Sequence, residues 1–132
     1  MNTTYFLNLV AGNVFKTKTS PGIPANYYLG LSSTAPNVNG TGVTEPSGGG
    51  YARVQLTGMS VPTNGEITNS SAISFAKSTA DWGVMTHFVI FDAATGGNLL
   101  IYNPMNRSRT VEADNTLIAE PGAITISVAN AS

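Results

Sequence analysis

The stretch Asp81–Tyr102, DWGVMTHFVIFDAATGGNLLIY, decides the fold. It holds the chain's single Trp, its single His and its densest apolar run. Met85–Phe91 reads as one strand and Asn98–Tyr102 as another. Between them, Asp92 to Gly97 (DAATGG) supplies the small, polar and glycine residues that a hairpin connection needs. Strand side chains alternate, so Val84, Thr86, Phe88 and Ile90 are expected on one face and Met85, His87, Val89 and Phe91 on the other. Both sets are largely apolar, which predicts a central strand covered on two sides.

Outward from this hairpin, short segments of strand character recur at fairly regular spacing. Asn26–Leu31 (NYYLGL) is rich in aromatic residues. In Tyr51–Leu56, Tyr51, Arg53 and Gln55 alternate with Ala52, Val54 and Leu56, as in a half-exposed strand. Asn64-Gly65 is the best local turn signal, with Ile67 and Ile73–Phe75 marking short strands beyond it. Asn103-Pro104 is expected to end the second hairpin strand. Arg109–Glu112 and Thr116–Ala119 flank an Asp114-Asn115 turn. Pro121-Gly122 makes another turn, and Ala123–Val128 closes with strict alternation. About eight short strands joined by Gly, Pro, Asn and Asp predict an all-β fold, a single antiparallel β-sandwich of jelly-roll type spanning residues 1–132.

Two segments depart from the pattern. In residues 1–15, Phe6, Leu9, Val10 and Val14 fall near one helical stripe, with Thr3 or Thr4 as a cap and Gly12 weakening the end. This segment reads as a short helix over the sheet edge or as an arm docking on a neighbouring subunit. Lys16–Ala25 is a turn-rich connector. Residues 32–50 contain two prolines, five glycines and Glu45 as their sole charge. A loop of that length without periodicity is unusual in a compact domain, and it is expected to lie along the protein or a neighbour as a contact loop.

At 132 residues one domain buries roughly two thirds of its unfolded surface. The absence of cysteine excludes disulfides and thiolate metal sites. Six basic and seven acidic residues, the basic ones scattered, make no stripe for nucleic acid or an anionic membrane. The apolar patch near the N-terminus has no basic residue before it and is broken by Asn8, Gly12 and Asn13. It is a poor export signal and too short to span a bilayer, so use without Sec export is expected. Charged residues are 10% of the chain, against about 25% in typical soluble domains. A surface of Ser, Thr, Asn and Gly is weakly protected against self-association, which suits a subunit packed against neighbours.

The inventory of reactive groups points away from an enzyme, and no catalytic residue, metal site or cofactor is expected. His87 lies inside an apolar run, where a core or interface role with one hydrogen-bond partner is the expectation. Asp81 and Asp92 would be on the order of 30 Å apart along an extended strand, too far for a pair of glycosidase carboxylates. Capping and turn roles fit them better. Gly48-Gly49-Gly50 lacks the Lys-Ser/Thr of a phosphate loop and leads into a strand. Arg107 and Arg109 flank Ser108 and could grip a partner's carboxylate, with surface solvation the plain alternative. Trp82 is expected under the sheet edge, or else as a sugar-stacking platform.

Three blocks, YYLGLSSTAP, TGVTEPSGGGYARVQL and WGVMTHFVIFDAATGGNLLIY, resemble a family of small structural proteins of tailed bacteriophages, labelled tail-fibre or minor structural proteins. Glu45–Arg53 (EPSGGGYAR) and Phe91–Leu100 (FDAATGGNLL) are the most specific parts. The resemblance covers nearly the whole chain and implies a virion component assembled in the host bacterial cytoplasm, with no enzymatic residue to carry over. The chain has neither heptads nor repeats from which to build a fibre shaft. The sequence reading therefore favours a capsid decoration or cement protein on the head surface. Its partners would be the major capsid protein or other virion proteins, and it would assemble as a homo-oligomer, with a trimer favoured. A tail-fibre or tail-tip module binding host glycan is the alternative. The expected interface residues are Tyr5, Phe6, Leu9, Val10, Val14, Glu45 and Pro46.

Overall fold

The structure is a computed structural model and describes residues 1–15, 22–60 and 62–127. The first part of the Lys16–Ala25 connector and Val128 of the last expected strand lie outside the described residues. The fold is an all-β antiparallel sandwich with one short N-terminal helix. One layer is a four-stranded sheet in the order β2-β1-β5-β6, formed by Val54–Gln55 (β2), Tyr28–Ser32 (β1), Gly83–Phe91 (β5) and Leu99–Val111 (β6). The other is made of two ribbons, in which Glu66–Thr68 (β3) pairs with Thr125–Ser127 (β8) and Ile73–Ser74 (β4) with Ile118–Ala119 (β7).

The expected central hairpin is the spine of the sheet. β5 is flanked by β1 and β6, and its second half, Phe88 to Phe91, is buried on both faces. Its inner face, with Met85, Phe88 and Ile90, joins Leu29 and Leu31 from β1 and Ile73 and Ala119 from the ribbons in one core. Each of the larger apolar side chains sealed there contributes roughly 1.5–3 kcal/mol of transfer free energy. Its outer face carries Val89 and Phe91, which pack with Leu99 and Val43.

The alternation expected along β5 does not hold throughout. Met85 pairs with Arg109 but His87 pairs with Pro104, so Thr86 alone stands opposite four residues, Met105 to Ser108. This large bulge shifts the phase of the strand, and Met85 faces inward with Phe88 and Ile90 instead of outward with Val89. The same bulge corrects the expected strand end at Asn103-Pro104. The strand runs through Pro104 to Val111, because an edge strand with a bulge is where a residue without N–H is tolerated.

Residues 1–3 run beside the free edge of β6. Thr3 N–H donates to Leu100 O (2.9 Å), and Tyr102 N–H donates to Met1 O (3.0 Å). Thr3 then caps α1 (Thr4–Val14), its Oγ1 accepting from Phe6 N–H at 3.2 Å while lying 2.8 and 2.9 Å from the Leu99 and Leu100 carbonyls. Phe6 and Leu9 face the core. Where the β3–β8 ribbon meets the sheet, an apolar cleft of about 250 Å³ opens between Phe6, Tyr27, Leu56, Met59 and Ile126. Among the described residues no helix is long and apolar enough to cross a membrane.

Candidate functional site

The long loop after β1 is folded onto its own protein. Ser33 N–H donates to Thr44 O (3.0 Å), and Thr34 Oγ1 donates to Gly42 O (2.6 Å), closing the loop on itself. Val43 packs on the outer sheet face. The loop ends in Gly48-Gly49-Gly50, all three at positive φ (73°, 63° and 79°). Only glycine adopts such a run without strain. The resulting turn brings Gly49 O to within 2.8 Å of the Trp82 indole N–H. The run is therefore a docking turn for Trp82. The indole is buried and meets Tyr51 edge-on at 5.3 Å, which leaves no free face for stacking on a sugar.

The loop positions Glu45 against Arg53 and Tyr51. Arg53 grips the carboxylate with two nitrogens, Nε to Oε2 at 3.0 Å and Nη2 to Oε1 at 2.7 Å. Its remaining terminal nitrogen donates to Ala93 O (2.8 Å) and Gly96 O (2.7 Å) in the β5–β6 turn. The guanidinium carbon sits 3.5 Å from the centroid of the Phe91 ring. Tyr51 O–H donates to Glu45 Oε2 (2.6 Å) and accepts from Leu31 N–H (3.0 Å), filling the edge of β1 beyond the end of its pairing with β2. Burial alone would raise the Glu45 pKa. The Arg53 and Tyr51 hydrogen bonds and the Arg53 charge outweigh it and hold the carboxyl below its ordinary value. Burial, followed by the Glu45 hydrogen bond, pushes the Tyr51 phenol well above its usual range. The network locks the two most specific sequence blocks, Glu45–Arg53 and Phe91–Leu100, to each other. An open cleft of about 240 Å³ lies over it, lined also by Pro46 and Thr95.

The residues expected at an interface divide into four groups. Phe6 and Leu9 are buried within the chain itself. Tyr5 and Val10 are half-buried against the core, and Glu45 and Pro46 line the cleft just described. Val14 is 62% exposed at the end of α1, next to Phe15 at 76%. Phe15 is the most exposed aromatic side chain among the described residues, and the helical stripe pointed to Val14 but not to Phe15.

The other singled-out residues have defined partners. Asp92 closes the hairpin by accepting from Asn98 N–H (2.7 Å), and Asp81 accepts from Ala113 N–H (2.9 Å). His87 Nδ1 lies 2.9 Å from Thr86 Oγ1, and partial burial lowers its pKa. No group of three or more His, Cys, Asp or Glu side chains among the described residues could hold a metal ion. Two further polar residues have roles that the sequence did not signal. Asn69 is buried and staples the ribbon turns, donating to Glu120 O (2.8 Å) and accepting from Ile124 N–H (2.9 Å). Arg53, expected on a half-exposed strand, has a side chain only 6% exposed. Its spacing of eight residues from the loop's sole charge was the available clue.

A sandwich whose charged and aromatic side chains tie loop to sheet, with an apolar pair left at one helix end, defines a small all-β structural domain. The chain belongs to the family of the podophage GP4 fiber I protein gp80, whose family model matches residues 2–127. It is a bacteriophage virion structural protein of a fibre family. None of the curated proteins matches the chain.

Proposed function

We propose that this chain is a fibre-associated subunit of a podophage virion that works by assembly with copies of itself and with other virion proteins, and not by catalysis. The observation that carries this reading is the extent of the family match. The whole described fold, from the edge segment at residue 2 to the end of β8 at residue 127, falls within a family described as a fibre protein. The exposed pair Val14 and Phe15 at the end of α1 supplies the assembly surface. Burying that pair against a second subunit removes apolar area from water at about 25 cal/mol per Å². A trimer is the oligomer proposed, with the apolar pairs of three copies meeting at one closed threefold axis.

A second reading, a decoration protein on the capsid surface, is favoured by the 10% charge content and by the absence of heptads or repeats from which to build a shaft. Labelled antibody imaging of intact particles together with copy number per virion separates the two. Label on the tail at a few to a few dozen copies is the expected result. Label over the head at hundreds of copies would overturn it in favour of decoration.

A further inference from the structure

The bulge in β6 creates a concavity that the sandwich does not need. Met105 to Ser108 are lifted out of the β5–β6 ladder, and the space beside them, about 410 Å³, is lined by Phe88, Met105, Asn106, Arg107, Arg109 and Ala123. Two of the chain's six basic residues therefore share one cleft, and no acidic side chain lines it. Arg107 is exposed and has no hydrogen-bond or ion-pair partner among the described residues. Arg109 is half-buried and oriented by one nitrogen, Nη1, which donates to Ile118 O at 2.8 Å. The rest of its fork is left for a ligand. The one ion pair among the described residues is Arg53 with Glu45, so no carboxylate among them neutralises either of these guanidinium groups.

We propose that this cleft is a docking site for a carboxylate side chain, Asp or Glu, of a neighbouring virion protein. The proposal rests on the reading of the chain as a virion structural protein and adds the chemistry of one partner contact. Two guanidinium groups on one concavity repel each other until an anion lies between them, and their planar forks match a carboxylate bidentately. The lining argues for a protein side chain over an acidic sugar. Phe88, the aromatic residue in the lining, is only 4% exposed and offers no face for a sugar ring, whereas Met105 and Ala123 suit the methylene stem of Asp or Glu.

The test is an NMR titration of the intact chain with a blocked peptide carrying adjacent Glu and Asp, with the Gln/Asn analogue as control and oligogalacturonate as a separate arm. The Arg107 and Arg109 side-chain N–H resonances should shift with the acidic peptide, with a Kd on the order of millimolar. The shift should weaken as salt is raised. Binding should fall at least about tenfold in R107Q, whose exposed position leaves the melting temperature unchanged, and R107K should recover only part of it. No shift with the acidic peptide, an equal shift with the neutral peptide, or binding of the uronate alone would each overturn the proposal. The titration uses the isolated chain, so its failure leaves the particle location unaffected, and a head location leaves the cleft's chemistry unaffected.

Discussion

Gly30 shows how tightly the lock is built at the level of single atoms. A Cβ at this position would lie 2.8 Å from the Tyr51 hydroxyl, 3.1 Å from Glu45 Oε2 and 3.1 Å from Val89 Cγ2. Gly30→Ala therefore pushes the phenol off Glu45 and Leu31 together, and urea unfolding should show a loss of about 1–3 kcal/mol. Glu45 gives the lock a signature in pH. Its folded pKa lies below the unfolded value of about 4.5, so its contribution is present above that value and disappears as pH falls through the folded pKa. At neutral pH, Glu45→Gln should be less stable than the parent by about 1.5–3 kcal/mol, the range for hydrogen bonds to a charged group. The difference should shrink as pH falls below about 4.5, because the other carboxylates are common to both proteins. Melting temperatures of the pair across pH 7 to 3 check this, and a gap that stays constant with pH would remove the charge from the explanation. Arg53 shows why the lock was only partly legible in the sequence. Alternation placed it on the wetter side of a strand, yet the loop carrying Glu45 returns over it and buries it.

Among the elements, α1 carries a core role and the proposed assembly pair, which separate along its length. Its first turns belong to the core, since Leu9 is 1% exposed and Thr3 ties the cap to β6. Leu9→Ala should cost about 2–5 kcal/mol, and Thr3→Ala about 1–2 kcal/mol. Deleting residues 1–15 would strip the β6 edge and part of the core, so loss of particle binding by such a truncation would report misfolding. Paired Val14→Asp and Phe15→Asp substitutions are the cleaner probe. Both side chains point mostly into water, so circular dichroism and thermal unfolding should stay within about 0.5 kcal/mol of the parent. Under the proposed assembly, sedimentation should show an oligomer for the parent and its loss in the variant. An unchanged oligomer would move the assembly surface elsewhere. The helix itself was legible from its stripe and its cap. Whether it packed in cis was not, because the same apolar stripe fits either partner.

At the scale of the whole molecule, a nearly neutral surface fits a protein whose stability is completed by neighbours. The resemblance to phage structural proteins, seen in Glu45–Arg53 and Phe91–Leu100, and the family match across residues 2–127 agree on a virion component. Particles assembled with the Val14/Phe15 double variant should carry less of this chain per virion, measured by quantitative mass spectrometry, while the major structural proteins remain in normal ratio. The amino-acid sequence by itself determined the all-β class, the central hairpin, the turns at Asn64-Gly65, Asp114-Asn115 and Pro121-Gly122, and a short helix within residues 1–15. These follow from local periodicity and turn chemistry, which act over a few residues. Only the tertiary structure decided that Thr86 faces a four-residue bulge, that residues 32–50 cover their own sheet, and that Glu45 and Arg53 meet over the hairpin turn. Those outcomes depend on register and on contacts between segments distant in the chain. For the opening stretch, Asp81–Tyr102, the apolar alternation was enough to make it the centre of the fold. The phase break that opens the arginine cleft required the pairing of β5 with β6, because a bulge in one strand is defined only against the strand beside it.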